Sequence, residues 1–298
     1  MRLGMIAGYT REEFGYVKDL GLDFVEICCN SAEESKSFVS AQKEVKKLLE
    51  IFPLDISSVG RWSHSVNNAG VLDSHELCIY YSLLDTAITL GAKTFVCGIN
   101  RDDSISLYKN YTAAIKFFSE LIRRADGKIK IAVQNCDWQN FVISPEQWRV
   151  ILGELPELML KYDCSHALNR DCDYIAEIAE FGERIAHVHI KGTVKTRLSS
   201  PFLSPPTGLH GADWAGMSSL LCKKGYAGII SPRVGKPIAD PPAGLDEIAW
   251  PSVFAALYSA GYNGDLSIEP HSAVWKKDSR LGKEGLKFTI NYIKNFIF

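Results

Sequence analysis

Short, nearly continuous apolar runs alternate along this chain with longer stretches in which apolar residues return every three or four positions. The short runs predict strands at Leu3–Ala7, Phe24–Cys28, Asp55–Val59, Thr94–Gly98, Ile131–Asn135, Met159–Asp163, Ala186–Ile190 and Asp265–Glu269. The longer stretches predict helices. Val45, Leu48, Leu49 and Phe52 mark one helical face, Leu107, Tyr111, Ile115, Phe118 and Ile122 a second, and Leu286, Ile290, Ile293 and Ile297 a third. Gly21, Gly91 and Gly261 each follow a helical pattern and precede a strand, as C-cap glycines do. Strands apolar on both faces and separated by helices pair in parallel. Eight such units predict an α/β fold of the (β/α)8 TIM-barrel type, a single domain over residues 1–298.

One stretch departs from this rhythm. Residues 193–250 follow the seventh strand, are rich in Pro and Gly, and are too long for an ordinary strand-to-helix connection. Asp213-Trp214 through Gly225-Tyr226-Ala227-Gly228-Ile229 echoes Ala249-Trp250 through Gly261-Tyr262-Asn263-Gly264-Asp265, with the same Trp-to-Gly interval. The first copy is expected to form an extra helix and short strand, inserted as a lid over the C-terminal mouth of the barrel. A surface decoration or a contact with another subunit is the alternative.

Composition narrows the function classes. A chain of 298 residues, 46% hydrophobic, buries a large core, and its net charge of −2 gives no reason to expect a nucleic-acid partner. No run approaches the roughly 20 apolar residues that cross a bilayer, and the N-terminal run is too short for a signal peptide. The eight cysteines are scattered, with neither a CxxC pair nor a zinc-finger spacing. They are expected to be reduced thiols of a cytoplasmic protein.

Four predicted strands end in metal-ligand types: Gln134, Asp163, His189 and Glu269. A parallel barrel builds its catalytic centre from the C-terminal ends of its strands, so these four converge on one mouth. Asp163 has a second reading as a helix N-cap. His166, three residues later, can face the same cavity. His187, His189 and Lys191 alternate and share one strand face, with His187 a layer deeper. Pro270 ends the eighth strand, which puts Glu269 at its tip and lets His271 turn back to the mouth. Asp, His and Glu together suit one divalent ion, Mn²⁺ ahead of Mg²⁺, Co²⁺ and Zn²⁺. Trp62, His64, Trp138 and Trp275 could stack on sugar C–H surfaces, and Arg101 and Asp103 could meet sugar hydroxyls. Each of these has an ordinary surface or packing reading beside it.

These motifs resemble the sugar phosphate isomerase/epimerase family of xylose-isomerase-like barrels over most of the chain. The resemblance is carried by Tyr162-Asp163-Cys164-Ser165-His166, by His187-Val188-His189-Ile190-Lys191, and by Pro241-Pro242-Ala243-Gly244-Leu245 through Trp250 to Ser267-Ile268-Glu269-Pro270-His271. It implies a small-molecule sugar substrate and a metal held by Glu, Asp, His and Glu, as in ketose 3-epimerases of the family. By motif those positions fall on Gln134, Asp163, His189 and Glu269. It also implies that His166 contacts substrate and that the two glutamates form the acid/base pair.

Gln134 is the departure. Its amide oxygen can still ligate a hard metal, but it accepts no proton at neutral pH. Glu269 is then the expected base, with His166, His271 or Lys191 replacing the second. The resemblance thus implies a metal-dependent sugar or keto-sugar isomerase or epimerase. A lyase or hydrolase on 3-keto-glycosides, or an inosose-type dehydratase, needs only one base and is the first alternative. A catalytically impaired sugar-binding paralogue is the second. Abasic-site endonuclease activity, known in other barrels of the superfamily, needs more metal ligands than the first four strand ends offer. A homo-oligomer or a partner subunit is compatible with the extended seventh loop.

Overall fold

The computed structural model describes residues 1–62, 65–195, 237–271, 274–275 and 279–298. Eight parallel strands close into a barrel, each paired with its neighbours in chain order and the last with the first. They are β1 (Arg2–Ile6), β2 (Phe24–Cys28), β3 (Asp55–Arg61), β4 (Thr94–Cys97), β5 (Lys130–Gln134), β6 (Met159–Asp163), β7 (Ile185–Ile190) and β8 (Asp265–Ile268). Helices fill every connection, so the chain is the (β/α)8 barrel that its pattern predicts.

Two strands, β2 and β6, match the predicted spans at both ends, and the others differ from them by a residue or two. The largest difference is in β3, which runs on to Arg61. Arg61 is fully buried, yet its guanidinium meets Ser31 O at 2.9 Å, Ser35 Oγ at 2.7 Å and Glu76 Oε2 at 2.6 Å. With those partners a charged residue extends a buried strand that an apolar count would end at Val59. In the long helix Leu107–Ala125 the face turned to the core is Asn110, Ala113, Ala114, Phe117, Phe118, Leu121 and Ala125. The row from Leu107 through Tyr111 and Ile115 to Ile122 lies at its flank, and Leu107 is exposed.

Two layers of core result: side chains inside the barrel, and side chains between barrel and helices. Inside, Gly4 on β1 makes room for Phe24, because a Cβ there would fall 2.3 Å from the Phe24 ring. Phe24 then packs edge-on against His187, with ring centroids 6.4 Å apart. At the N-terminal face, Arg2 binds Asp55 and holds Asp265 at 2.8–2.9 Å, while Lys93 reaches Asp265 at 3.3 Å.

Beyond β7 the chain forms a short antiparallel pair, Val194–Lys195 with Pro237–Ala239. The intervening residues 196–236, with the expected extra helix and strand, lie outside the described residues. No helix among the described residues is long and apolar enough to cross a membrane.

Candidate active site at the barrel mouth

The strand register assembles the site. Asp163 and His189 are partners across β6 and β7, and Gln134 and Lys161 are partners across β5 and β6. Glu269 follows β8 and extends its pairing, donating its backbone N–H to Ile190 O at 3.2 Å. Ligand atoms of Asp163, His189 and Glu269 therefore all lie within 4.8 Å of one another.

Asp163 serves two roles at once. Its Oδ1 accepts from Ser165 N at 2.8 Å and caps the short helix Cys164–Asn169. Its Oδ2 faces the site, 3.1 Å from Lys191 Nζ and 3.5 Å from His166 Nε2. The N-cap reading of this residue is thus met by one oxygen, and the other oxygen is left facing the site. Asn135 fixes the strand end, donating to Asp163 O at 2.9 Å and accepting from Asp163 N at 3.0 Å.

His189 is oriented by Glu26, a residue the sequence reading passed over. Glu26 lies fully buried on β2, and its Oε2 sits 2.9 Å from both His189 Nε2 and His187 Nε2. A carboxylate only accepts, so it draws a proton onto each Nε2. His187 Nδ1 then faces Ser57 Oγ at 3.3 Å. His189 Nδ1 is left pointing at Glu269 Oε2, 2.9 Å away. Two acceptors that close need a proton or a cation between them. Burial lowers the His189 imidazole, but Glu26 and Glu269 together more than offset that and raise it. Burial likewise raises the Glu26 carboxyl, and the two imidazoles bring it well below the usual carboxylate range.

Lys191 continues the inward face of β7. Besides Asp163, its ammonium lies 3.5 Å from Glu269 Oε2 and 3.1 Å from His166 Nε2. Burial opposes its charge, but Asp163 and Glu269 more than restore it and raise the lysine. Burial raises both carboxylates, but Lys191 together with His166 and Lys161 at Asp163, and with His189 and Lys161 at Glu269, brings them below their ordinary range. Burial, with Lys191 alongside, pushes His166 down to about 3. At neutral pH the cluster is therefore two carboxylates, an ammonium and a neutral His166.

His166, Lys191 and Glu269 open on a cavity of about 780 Å³, lined also by Gln134, Lys161 and His271 among others, with the fully buried Asp163 and His189 behind them. Gln134 is fully buried, and neither its amide nitrogen nor its oxygen has a hydrogen-bond partner. A buried amide oxygen with no donor, beside Asp163, His189 and Glu269, is a donor set that fits a hard divalent cation. Trp62 also lines the cavity and packs edge-on to His189, with ring centroids 5.7 Å apart. Gly60 permits this, since a Cβ there would fall 2.5 Å from the indole nitrogen.

The other sequence candidates are spread more widely. His271 lines the rim and pairs with Asp240 at 2.7 Å, which raises its imidazole. Trp138 lines the rim and is exposed. Arg101 pairs with Asp103 at 2.8 Å on the surface, away from the cavity lining. Trp275 borders a small neighbouring cleft with Pro242 and Gly285. His64 lies outside the described residues.

The whole chain superposes on known sugar-enzyme barrels. A 3-keto-D-glucoside 4-epimerase from E. coli has a TM-score of 0.68 at 14% identity, covering 99% of each chain. The D-psicose 3-epimerase of Clostridium cellulolyticum H10, solved with D-tagatose, has a TM-score of 0.70 at 13% identity, covering 100% of this chain and 99% of that one. The IolI protein with a bound zinc atom has a TM-score of 0.70 at 15% identity, covering 100% and 98%. No curated protein matches the chain in sequence. The family model described as xylose isomerase-like TIM barrel matches residues 14–247. With that match over most of its length and a closed eight-stranded barrel, the chain belongs to the xylose isomerase-like TIM barrel family.

Proposed function

We propose that this protein is a divalent-metal-dependent sugar isomerase or epimerase that moves a proton next to a carbonyl. The observation that carries this is the convergence of Asp163, His189 and Glu269 within 4.8 Å of one another, where Glu269 and the unpartnered amide of Gln134 line a sugar-sized cavity. A metal held by these four residues would polarise the substrate carbonyl and so acidify the neighbouring C–H.

The chain's own residues supply the rest. Glu269 is ionised at neutral pH and reaches the cavity, so it accepts the proton. Lys191 keeps its charge and points an ammonium at the place where negative charge develops on the sugar oxygen. His166 accepts from Lys191 through Nε2, which leaves Nδ1–H to donate to a sugar hydroxyl. Gln134 takes no proton, so a single carboxylate carries the transfer.

One base suits a shift between adjacent carbons on one face of the sugar. It equally suits removal of a proton next to a ketone with loss of a leaving group, as on a 3-keto-glycoside. The missing second glutamate is the observation that keeps this second reading. The likeness to epimerase barrels supports the fold for either.

Assays with ketohexoses and with 3-keto-glycosides, with and without Mn²⁺, separate the two readings. Elemental analysis of the protein beside Gln134→Glu tests the metal. Metal is expected in both proteins and held more tightly in the variant, which gains a charge. Metal in neither, with no turnover of either substrate class, would overturn the proposal.

A further inference from the structure

Lys161 is a charged residue in the middle of β6, fully buried, with Gln134 and His187 as its strand partners. Its side chain enters the cavity, and its ammonium lies over the Trp62 ring, 4.9 Å from the centroid. Among the described residues no carboxylate forms an ion pair with it and no acceptor receives its hydrogens. Beside it stands the Gln134 amide, also buried and also without a partner. The cavity floor therefore presents an ammonium and an amide N–H₂ with nothing to accept from them. Buried donors of this kind mark the place of a ligand oxygen.

The charges agree. Glu26, Asp163 and Glu269 are opposed by Lys161 and Lys191. A divalent cation added to this set leaves the floor with net positive charge, which an anionic substrate group would cancel. Gln134 can turn its oxygen to the cation and its nitrogen to that group, whereas a glutamate there would offer no donor.

Resting on the reading of this cavity as a sugar site, we propose that the substrate is a sugar acid whose carboxylate is received by Lys161 Nζ and Gln134 Nε2. A planar monoanion with two oxygens matches one ammonium and one amide. A phosphate dianion would bring more charge and a third oxygen for which the floor has no donor.

Calorimetric titration of the Mn²⁺-loaded protein with a hexuronate, an aldonate, neutral ketohexoses and a ketohexose phosphate tests this. The acids are expected to bind at least ten-fold more tightly than the neutral sugars. Lys161→Met removes that preference and Lys161→Arg retains it, with melting curves to verify that both variants fold. Equal binding of acids and neutral ketoses by the unsubstituted protein overturns the carboxylate assignment and leaves the sugar-enzyme reading standing. Tightest binding of the phosphate overturns it in favour of a phosphosugar. Binding of no sugar of any class overturns both readings.

Discussion

Burial and the Lys191 ammonium hold His166 neutral down to about pH 3, and this ties stability to pH in a defined window. An unfolded histidine takes up a proton near pH 6.5, and the folded one does not until far lower. Between those values the unfolded chain binds more protons, so stability falls as pH drops. The other groups of the site act elsewhere. The raised His189 contributes stability that is lost only as pH climbs above about 6.5, and the depressed Asp163 and Glu269 lose theirs below about 4. From pH 6.5 to 4.5 the metal-free protein should lose on the order of 3 kcal/mol through His166. Urea unfolding of His166→Asn should show a flatter profile across that window, and an unchanged slope would reject the assignment. At this scale the sequence announced the residues at strand ends and hid those within strands. Asp163, His189 and Glu269 were legible because each closes an apolar run. Glu26 and Lys161 were not, since each sits inside one, in Phe24-Val25-Glu26-Ile27 and Leu160-Lys161-Tyr162. The available signal was the charge itself, because a charge within a strand buried on both faces must point at a partner or a ligand.

Strands were the most readable elements, because a strand buried on both faces writes itself as a continuous apolar run. Helix faces were less so. In Leu107–Ala125 the row Leu107, Tyr111, Ile115 and Ile122 flanks the buried face, whose centre combines Phe117, Phe118 and Leu121 with Ala113 and Ala114, the small residues that let the helix approach the barrel. Counting size rather than fit displaced the face by part of a turn. What no pattern reveals is a side chain that substitutes for backbone, as Asn135 does between β5 and β6. Its amide gives Asp163 both a donor and an acceptor just where the strand pairing stops. Asn135→Ala should therefore leave two buried backbone groups unpaired and cost about 2 kcal/mol. Because those groups belong to a proposed ligand, Mn²⁺ affinity measured by calorimetry should fall as well. Lost stability with unaltered metal affinity would show that Asn135 does not position Asp163.

At the scale of the whole barrel, the proposed chemistry and the ion-pair network of the described residues occupy opposite ends. The C-terminal mouth gathers Asp163, His189 and Glu269, while the N-terminal face is tied by Arg2 to Asp55 and Asp265, with Lys93 on the same Asp265. This network links β1, β3 and β8 without touching the cavity. Arg2→Ala should lower the melting temperature by a few degrees, through about 1 kcal/mol for a partly exposed network. Metal affinity should be unchanged, and a coupled loss of metal would show that the two ends are not independent. The long excursion after β7 is anchored in a different way. Its two ends leave the barrel as an antiparallel pair, Val194 opposite Ala239 and Lys195 opposite Pro237, and the outgoing strand delivers Asp240 to His271 at the rim. The excursion is thus joined through a closed stem rather than two distant anchors. In engineering terms the stem is a graft point: its two strands stand side by side, so a tight turn joining them would close the chain at little entropic cost.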